Sequence, residues 1–192
     1  MKPLKSSLFN MITAMLVVSI CSATAIGYVY QLTEKPIAVS KKQKTLNAIK
    51  EMVGNFDNNP FEEKTLLSDG QTELYPARQD GIITAVAIKT YSKNGFGGKI
   101  ELIVGISIDG TLNGYKIIEQ NETPGLGSKI TENKFKNQFY GLNAHNDNNL
   151  ELSKDGGEID AITGATISSR AVVEAVKKAM EAYNRFVGAQ NE

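Results

Sequence analysis

A short hydroxyl-rich segment near the C-terminus has residue types that suit a phosphate-binding site. It covers residues 160–169 (DAITGATISS) and leads directly into a stretch with helical periodicity. The first turn of a helix has backbone N–H groups without intrahelical acceptors, and the helix dipole adds positive charge there, so an anion is favoured. A helix capped by Ser168 or Ser169, with a turn at Gly164, explains the same residues without a ligand. The segment has neither the lysine of GxxxxGK[ST] nor the spacing of GxGxxG.

A second loop, residues 122–127 (ETPGLG), has an unusual mixture of turn-forming and apolar residues. Pro124 and Gly125 are typical of a type II turn, because proline fixes φ and glycine accepts a positive φ. Leu126 between two glycines is unexpected in a solvated turn, since it offers a flat apolar contact that suits an aromatic ring. A plain turn without a ligand is the alternative interpretation of this loop.

The composition excludes several other kinds of site. Lys plus Arg total 21 and Asp plus Glu total 21, so the formal net charge is zero and nothing indicates a nucleic-acid partner. Cys21 and His145 are the only cysteine and the only histidine, and two such residues cannot form the ligand cluster of a zinc, haem or iron–sulfur centre. We therefore expect no metal site, and we interpret His145 as a surface-loop residue.

Three runs rich in β-branched residues predict an antiparallel sheet that positions the two loops. The last two runs are joined by Asp109-Gly110, a dipeptide typical of tight hairpin turns. The first two are separated by a glycine-rich turn at residues 95–98 (GFGG), which permits close approach of another backbone or a ligand. The runs cover residues 82–92 (IITAVAIKTYS), 99–108 (KIELIVGISI) and 111–120 (TLNGYKIIEQ).

Helices are predicted on both sides of the sheet segment. Residues 168–187 have apolar side chains on one helical face and charges on the other, and residues 128–140 have large apolar side chains at near-helical spacing. Residues 41–56 predict a short helix after Pro36. Residues 61–79 are polar without a clear period, and we interpret them as an irregular lead-in to the folded domain.

The N-terminus has the length and composition of a membrane-spanning helix. Residues 6–33 contain no charged side chain, and residues 8–30 are the densest apolar part. At about 1.5 Å per residue this part spans about 34 Å, enough for a hydrocarbon core of about 30 Å. Lys2 and Lys5 precede it and favour a cytoplasmic N-terminus, which would place the rest of the chain outside the cytoplasm, whereas the four lysines at residues 35–44 on the far side favour the opposite orientation.

A cleaved signal peptide is the alternative interpretation of this N-terminus. Ala23-Thr24-Ala25 has the small-x-small form of a cleavage site. The apolar run continues beyond it to Tyr30, a residue type that suits a membrane interface. The continuation favours a retained anchor.

Both loops resemble motifs of a known family. The segment Asp160-x-x-Thr163-Gly164-Ala165-Thr166 resembles the D-x-x-[ST]-G-A-T flavinylation signature of FMN-binding domains, and ETPGLG at residues 122–127 is similar to a loop of the same domains. Together with GFGGK at residues 95–99, the strands and the anchor, they resemble the G subunit of the Rnf electron transport complex, an ion-translocating ferredoxin:NAD oxidoreductase. The C subunit of the sodium-translocating NADH:quinone oxidoreductase is the second choice, because it shares the domain but tends to be longer.

The resemblance implies that Thr166 carries FMN, with Oγ joined to the phosphate, and that a separate flavin transferase installs it from FAD. It makes Asp160 part of the transferase recognition pattern, or a residue that braces the turn. Lys99 and Lys129 would either stabilise reduced flavin or be ordinary solvated lysines. No catalytic residue is implied. The residues expected around the cofactor are Thr163, Gly164 and Ala165 at the phosphate, and Glu122, Thr123, Leu126 and Gly127 at the ring or ribityl chain.

The expected fold is α+β: a single N-terminal transmembrane helix followed by an antiparallel-sheet FMN-binding domain flanked by helices. The expected divisions are an anchor at residues 1–33, a juxtamembrane helix and irregular lead-in at 34–80, and the FMN-binding domain at 81–188. The expected location is the bacterial inner membrane, with the FMN domain on the periplasmic side and other membrane subunits as partners.

Three functions are compatible with these patterns. The first is an electron-transfer subunit of an Rnf-type complex, with no substrate of its own. The second is a stand-alone extracytoplasmic flavin reductase, which would need an acid or base for its substrate, and only Glu122 is a candidate. The third is an anchored binding module without flavin, in which both loops are plain turns.

Overall fold

A computed structural model describes residues 8–145 and 150–190 of the chain. It divides into two compact units, Met1–Gln43 and Lys44–Glu192. Short 3-10 helices lie at Gly127–Thr131, Asn137–Phe139 and Ser153–Asp155. The other elements are α1 (Leu8–Val53), β1 (Thr65–Leu66), β2 (Glu73–Gln79), β3 (Ile82–Gly95), β4 (Gly98–Ser107), β5 (Leu112–Glu119), α2 (Asn133–Lys136) and α3 (Thr166–Gln190).

The first unit consists of the N-terminal part of α1. An 18-residue window of this helix has a mean hydropathy of 1.9 and is not buried in the protein, so α1 is long and apolar enough to cross a membrane. α1 continues through Pro36, whereas the sequence predicted a separate helix after this proline. A proline costs a helix one hydrogen bond and has a helical φ, so a long helix can include it. Lys2 and Lys5, on which the predicted orientation depends, lie outside the described residues.

The second unit is built on one five-stranded sheet in the order β1-β2-β3-β4-β5, with every neighbouring pair antiparallel. The predicted antiparallel sheet is confirmed, and its three predicted runs are β3, β4 and β5. The β4–β5 hairpin turns at Gly110, whose φ is +87°, and the Gly110 N–H donates to the Ser107 carbonyl at 2.9 Å. This compact unit begins at Lys44, and it includes the end of α1 and two further strands, β1 and β2.

The prediction of an irregular lead-in over residues 61–79 is wrong for β1 and β2. The sequence predicted this lead-in because residues 61–79 are polar without a clear period, and β2 also contains Pro76, which cannot donate to a sheet ladder. β1 pairs only with Glu73 and Leu74, so the edge of β2 at Pro76 faces no strand. The Pro76 carbonyl on this edge accepts a hydrogen bond from Asn58 Nδ2 at 3.0 Å. Because no strand pairs with this edge at Pro76, the absence of an N–H on proline removes no hydrogen bond from the sheet.

Alternating strand residues are buried on opposite faces of the sheet, as the two-residue period requires. One face packs on α3 and forms the larger core, which includes Val86, Ile88 and Val104 of the sheet and Val172 and Val176 of the helix. The other face packs on the end of α1, where Ala48, Ile49 and Met52 meet Ala87 and Ile103. Burial of one complete face of α3 fixes this helix, and therefore its first turn, on the sheet.

Glu174 ties α3 to the end of β3. Its carboxylate accepts hydrogen bonds from Ser92 Oγ at 2.7 Å, Asn94 Nδ2 at 2.8 Å and Lys178 Nζ at 2.8 Å. Burial raises the pKa of Glu174, but the hydrogen bonds from Lys178, Ser92 and Asn94 together outweigh it, so the pKa lies below its ordinary value of 4.5. The ionised carboxylate therefore stabilises the folded state.

We expect Glu174→Gln to reduce the loss of stability in acid. A lowered folded pKa means that the stabilisation is present above the ordinary pKa of 4.5 and is lost as the pH falls through the folded pKa. The urea midpoint of the detergent-solubilised chain, followed between about pH 3 and pH 7, should fall less steeply in acid for the variant than for wild type. Equal slopes for both proteins would contradict this assignment.

Candidate functional site

The ETPGLG loop and the start of α3 line one groove of about 540 Å³. Small-molecule sites commonly have volumes of about 300–1,000 Å³, so this size suits a cofactor. Thr163 lines a second groove, of about 740 Å³, and is not among the residues that line the first. The predicted residues that line the first groove are Glu122, Thr123, Leu126, Gly127, Gly164, Ala165 and Thr166.

Thr166 is the first residue of α3 and is half-buried. The turn before it is closed by the Ala165 N–H, which donates to the Ile162 carbonyl at 2.9 Å. Gly164 in this turn has a φ of +78°, a conformation that costs a non-glycine residue about 1 kcal/mol or more. This glycine therefore sets the direction in which the chain enters the helix and places Thr166 at its N-terminus.

The two serines after Thr166 do not cap the helix, so the ligand-free interpretation made from the sequence is wrong on this point. Ser168 Oγ donates to Glu122 Oε2 at 2.6 Å, and Ser169 Oγ donates to the Ala165 carbonyl at 2.9 Å. The first backbone hydrogen bond of α3 is made by the Ser169 N–H, which donates to the Ala165 carbonyl at 3.0 Å. Within the described part of the chain, no side chain caps the three preceding N–H groups, which suit an anion. They belong to Thr166, Ile167 and Ser168.

Glu122 connects three parts of the groove. Its side chain is 5% exposed, and Oε1 accepts a hydrogen bond from the Gly97 N–H at 3.1 Å while Oε2 accepts the one from Ser168. The carboxylate thereby joins the β3–β4 turn, the ETPGLG loop and the first turn of α3. Its contact with a ring or ribityl chain stays a prediction, whereas its bracing role is a property of the fold.

We expect Glu122→Ala to lower the free energy of unfolding by about 1–3 kcal/mol, because the buried Ser168 hydroxyl loses its acceptor. Glu122→Gln keeps one acceptor oxygen and should lose less. The double variant Glu122→Ala/Ser168→Ala is the matched control, since it removes both partners. Urea unfolding of Glu122→Ala, Ser168→Ala and the double variant in detergent gives the coupling energy between the two side chains, and strictly additive losses would show that the hydrogen bond has no net effect.

Two glycines of this region have no room for a side chain. A Cβ added to Gly127 would lie 2.5 Å from Glu122 Oε2 and 2.7 Å from Ser168 Oγ. A Cβ added to Gly97 would lie 1.9 Å from the Asn121 carbonyl oxygen. The glycine-rich turn between β3 and β4 therefore makes the close backbone approach that the sequence predicted.

An apolar rim surrounds the groove. Phe96, Leu126 and Ile167 line it and are 69%, 46% and 49% exposed. Leu126 follows the predicted turn, which is confirmed by the φ of +75° at Gly125 and by the Leu126 N–H, which donates to the Thr123 carbonyl at 3.2 Å. Sequence reasoning missed Phe96, although an aromatic residue within a glycine-rich turn was a usable signal for a ring-binding position.

Lys154 is the second site residue that sequence reasoning missed. Its Nζ donates to Thr166 Oγ1 at 3.4 Å, and the next residue, Asp155, accepts two hydrogen bonds from the Arg170 guanidinium, both at 2.7 Å. This placement depends on how the segment before Asp160 folds back onto α3. No sequence pattern indicated it.

The remaining predicted candidates lie elsewhere. Asp160 Oδ1 accepts a hydrogen bond from Ser153 Oγ at 2.8 Å, which agrees with a residue that braces the turn. Lys99 Nζ lies 2.9 Å from Glu101 Oε1, and Lys129 lines the larger groove. His145 is exposed, with its ring centroid 5.8 Å from that of Tyr183.

The chemistry of the groove fits a flavin mononucleotide. A phosphate needs hydrogen-bond donors, and the uncapped N–H groups of α3 and the Lys154 ammonium lie beside the Thr166 hydroxyl. A flavin ring needs apolar contacts, which Phe96 and Leu126 present to solvent. The residues present therefore supply donors for the phosphate and apolar surface for the ring.

Comparisons with known proteins agree with this chemistry. The model of a family described as the FMN-binding domain matches residues 95–181, a range that contains both loops. The crystal structure of Shewanella oneidensis NqrC has a TM-score of 0.50 with 22% identity, covering 68% of this chain and 71% of that one. This similarity shows a shared fold.

Two relatives are both described as the G subunit of an ion-translocating oxidoreductase complex. The protein of Vibrio cholerae serotype O1 is 37% identical over 184 residues, which cover 88% of each chain. The protein of Vibrio vulnificus strain YJ016 is 37% identical over 177 residues, which cover 85% of this chain and 84% of the relative. The chain belongs to the family of ion-translocating oxidoreductase complex G subunits.

Proposed function

We propose that this chain is an electron-transfer subunit of a membrane-bound, ion-translocating ferredoxin:NAD oxidoreductase of the Rnf type, and that it carries FMN esterified through its phosphate to Thr166. The relatives support the complex, and the matched domain supports FMN. The observation that carries the attachment site is the position of Thr166, the first residue of α3, in the groove that the ETPGLG loop also lines.

Attachment requires FAD and a separate flavin transferase. A bond forms between Thr166 Oγ and the phosphorus of the FMN half of FAD, the bond from this phosphorus to the bridging oxygen breaks, and AMP leaves. The only carboxylate among the described residues lining the groove is Glu122, and both of its oxygens already accept hydrogen bonds. The hydroxyl proton therefore passes to a base of the transferase.

FMN, when bound, accepts and donates electrons singly or in pairs, and the protein supplies its position and surroundings. The first turn of α3 offers N–H groups to the phosphate, next to Thr163, Gly164 and Ala165. Phe96 and Leu126 offer apolar contact to the ring, and Glu122 holds the ETPGLG loop against α3. The ester keeps the cofactor attached through successive electron transfers.

The proposed location rests on α1 and on the two lysines that precede its apolar run. We place α1 across the bacterial inner membrane as a single span, with the FMN-binding domain on the periplasmic side, because Lys2 and Lys5 precede the apolar run. The partners are the other membrane subunits of the complex, which pass electrons to and from the flavin. A G-type subunit is favoured over a C-type subunit by the relatives that match along most of both chains.

The stand-alone reductase is less well supported by the groove. A reductase that protonates its substrate needs an acid within hydrogen-bond reach. In the part of the chain that the structure describes, Glu122 is the only titratable residue that lines the groove. Its carboxylate is buried, and its two oxygens already accept hydrogen bonds from the Gly97 N–H and the Ser168 hydroxyl. An electron carrier needs no such acid.

The test uses membranes from a strain that lacks this chain. Wild-type chain with an affinity tag should restore ferredoxin-dependent NAD reduction and should co-purify with the other membrane subunits. Full activity in membranes without the chain would contradict the electron-transfer role, and purification of the tagged chain alone from active membranes would contradict membership of the complex.

A further inference from the structure

We propose that Lys154 is the side chain that binds the FMN phosphate at Thr166, and that the Asp155–Arg170 ion pair positions it there. This inference rests on the proposed function and extends it to residues outside both sequence motifs. Lys154 lies in the 3-10 helix Ser153–Asp155, 12 positions before Thr166 in the chain.

The contact with the attachment site is direct. Lys154 Nζ donates a hydrogen bond to Thr166 Oγ1 at 3.4 Å, while the lysine itself is on an exposed turn. Two other lysines, Lys129 and Lys134, line the larger groove together with Lys154. Of these three lysines, Lys154 is the one whose ammonium group contacts the Thr166 hydroxyl.

An ion pair between the neighbouring Asp155 and Arg170 of α3 fixes the position of Lys154. Asp155 Oδ2 accepts from Arg170 Nε and Oδ1 accepts from Arg170 Nη2, both at 2.7 Å, so the pair has the two-bond geometry that fixes orientation. The hydrogen bonds from Arg170 also lower the pKa of Asp155, so the ion pair persists further into acid than an ordinary aspartate would allow. Arg170 lies four residues after Thr166, on the same face of the helix, so the ion pair and the lysine contact share one surface.

The backbone of the following turn leaves little freedom for this segment. A Cβ added to Gly157 would lie 2.2 Å from the Glu151 carbonyl oxygen, and Gly156 has a φ of +96°. Ser153 Oγ donates to Asp160 Oδ1 at 2.8 Å, which joins the start of the turn to the first residue of the DAITGAT segment. Lys154 is therefore carried on a turn that is fixed at both ends.

The charges complement each other. A phosphate that joins FMN to a threonine keeps one negative charge, and an ammonium group with neighbouring helix N–H groups is suited to bind it. Before attachment, Lys154 donates to a lone pair of Oγ1, so the hydroxyl proton remains free to point toward the base of the transferase. An ammonium group held at Oγ1 would then bind the negative charge of the phosphate esterified there.

The test compares the lysine variants Lys154→Met and Lys154→Arg in the full chain, with Lys134→Met as the matched control. At limiting transferase, intact mass should show an initial rate of flavinylation about tenfold lower for Lys154→Met, because one charge-assisted hydrogen bond is lost. Lys154→Arg should recover most of the rate, and Arg170→Gln should lie between wild type and Lys154→Met. Lys134→Met should match wild type.

A second measurement separates phosphate binding from recognition by the transferase. In fully flavinylated protein, the ³¹P resonance of the ester should move in Lys154→Met and should stay in place in Lys134→Met. A slower rate with an unmoved resonance would overturn phosphate binding by Lys154, as would equal rates for both methionine variants. Wild-type protein that never gains FMN would instead refute the proposed function.

Discussion

Thr166→Ala is expected to remove covalent FMN completely and to reduce ferredoxin-dependent NAD reduction to the level of membranes without the chain. The alanine has no oxygen to attack the FMN phosphorus, and the groove alone would have to hold a freely exchanging cofactor. Thr166 is half-buried at the start of α3, so removal of its hydroxyl should leave the core intact. The variant should therefore still fold and still co-purify with the membrane subunits.

Two matched variants sharpen this result. Thr163→Ala removes the other hydroxyl of the TGAT segment and should still gain covalent flavin, at a reduced rate, because the esterified oxygen belongs to Thr166 and Thr163 only neighbours the phosphate. Thr166→Ser keeps a hydroxyl at the same place and should recover part of the modification. In-gel flavin fluorescence of the denatured proteins distinguishes these outcomes, and a fluorescent Thr166→Ala band would contradict the assigned site.

Gly97→Ala is expected to lower stability and flavinylation together. The added Cβ would lie 1.9 Å from the Asn121 carbonyl oxygen and 2.5 Å from its carbon, and backbone atoms cannot move away as a flexible side chain can. The β3–β4 turn must then separate from the ETPGLG loop, and the Gly97 bond to Glu122 is lost. We expect a loss of about 1–3 kcal/mol in the free energy of unfolding.

Gly188→Ala is the control for this prediction. Nothing among the described residues lies within 4 Å of a Cβ at Gly188, which is in the last turns of α3. Alanine is a better helix former by about 1 kcal/mol, so this variant should be as stable as wild type or slightly more so. Urea unfolding in detergent, with flavinylation measured on the same samples, tests the Gly97→Ala and Gly188→Ala variants. If Gly97→Ala is as stable as wild type, the loop moves away without loss of stability and the prediction is contradicted.

The sequence was informative about the sheet where side chains alternate in the expected way. The three strands β3, β4 and β5 and the hairpin at Gly110 followed from β-branched runs and a turn dipeptide. β2 was missed because residues 61–79 lack a two-residue period, and the structure explains this: four consecutive residues of β2, Leu74 to Ala77, are buried. The continuity of α1 was missed because Pro36 lies inside it. A proline in a sequence is typical of a helix boundary, and the sequence does not show that the helix is stable enough to include one.

The site was predictable as two separate motifs, but their connections were not. Turn chemistry indicated the positive φ at Gly125, and the hydroxyl-rich segment indicated a helix start near Thr166. The bridge from Glu122 to Ser168 and Gly97 joins three distant parts of the chain, and no local pattern encodes it. The approach of Lys154 to Thr166 likewise requires the folded turn, because the two residues are adjacent only in space.

The most direct measurement is the mass of the chain after production with a flavin transferase, followed by mass mapping of its tryptic peptides. Cleavage after Lys154 and Arg170 releases residues 155–170, which contain both threonines of the TGAT segment. The intact chain should gain the mass of FMN less one water, and fragmentation of this peptide should place the added mass on Thr166. An unmodified chain, under conditions in which a known FMN-binding domain is modified, would contradict covalent attachment, and added mass on another residue would contradict Thr166.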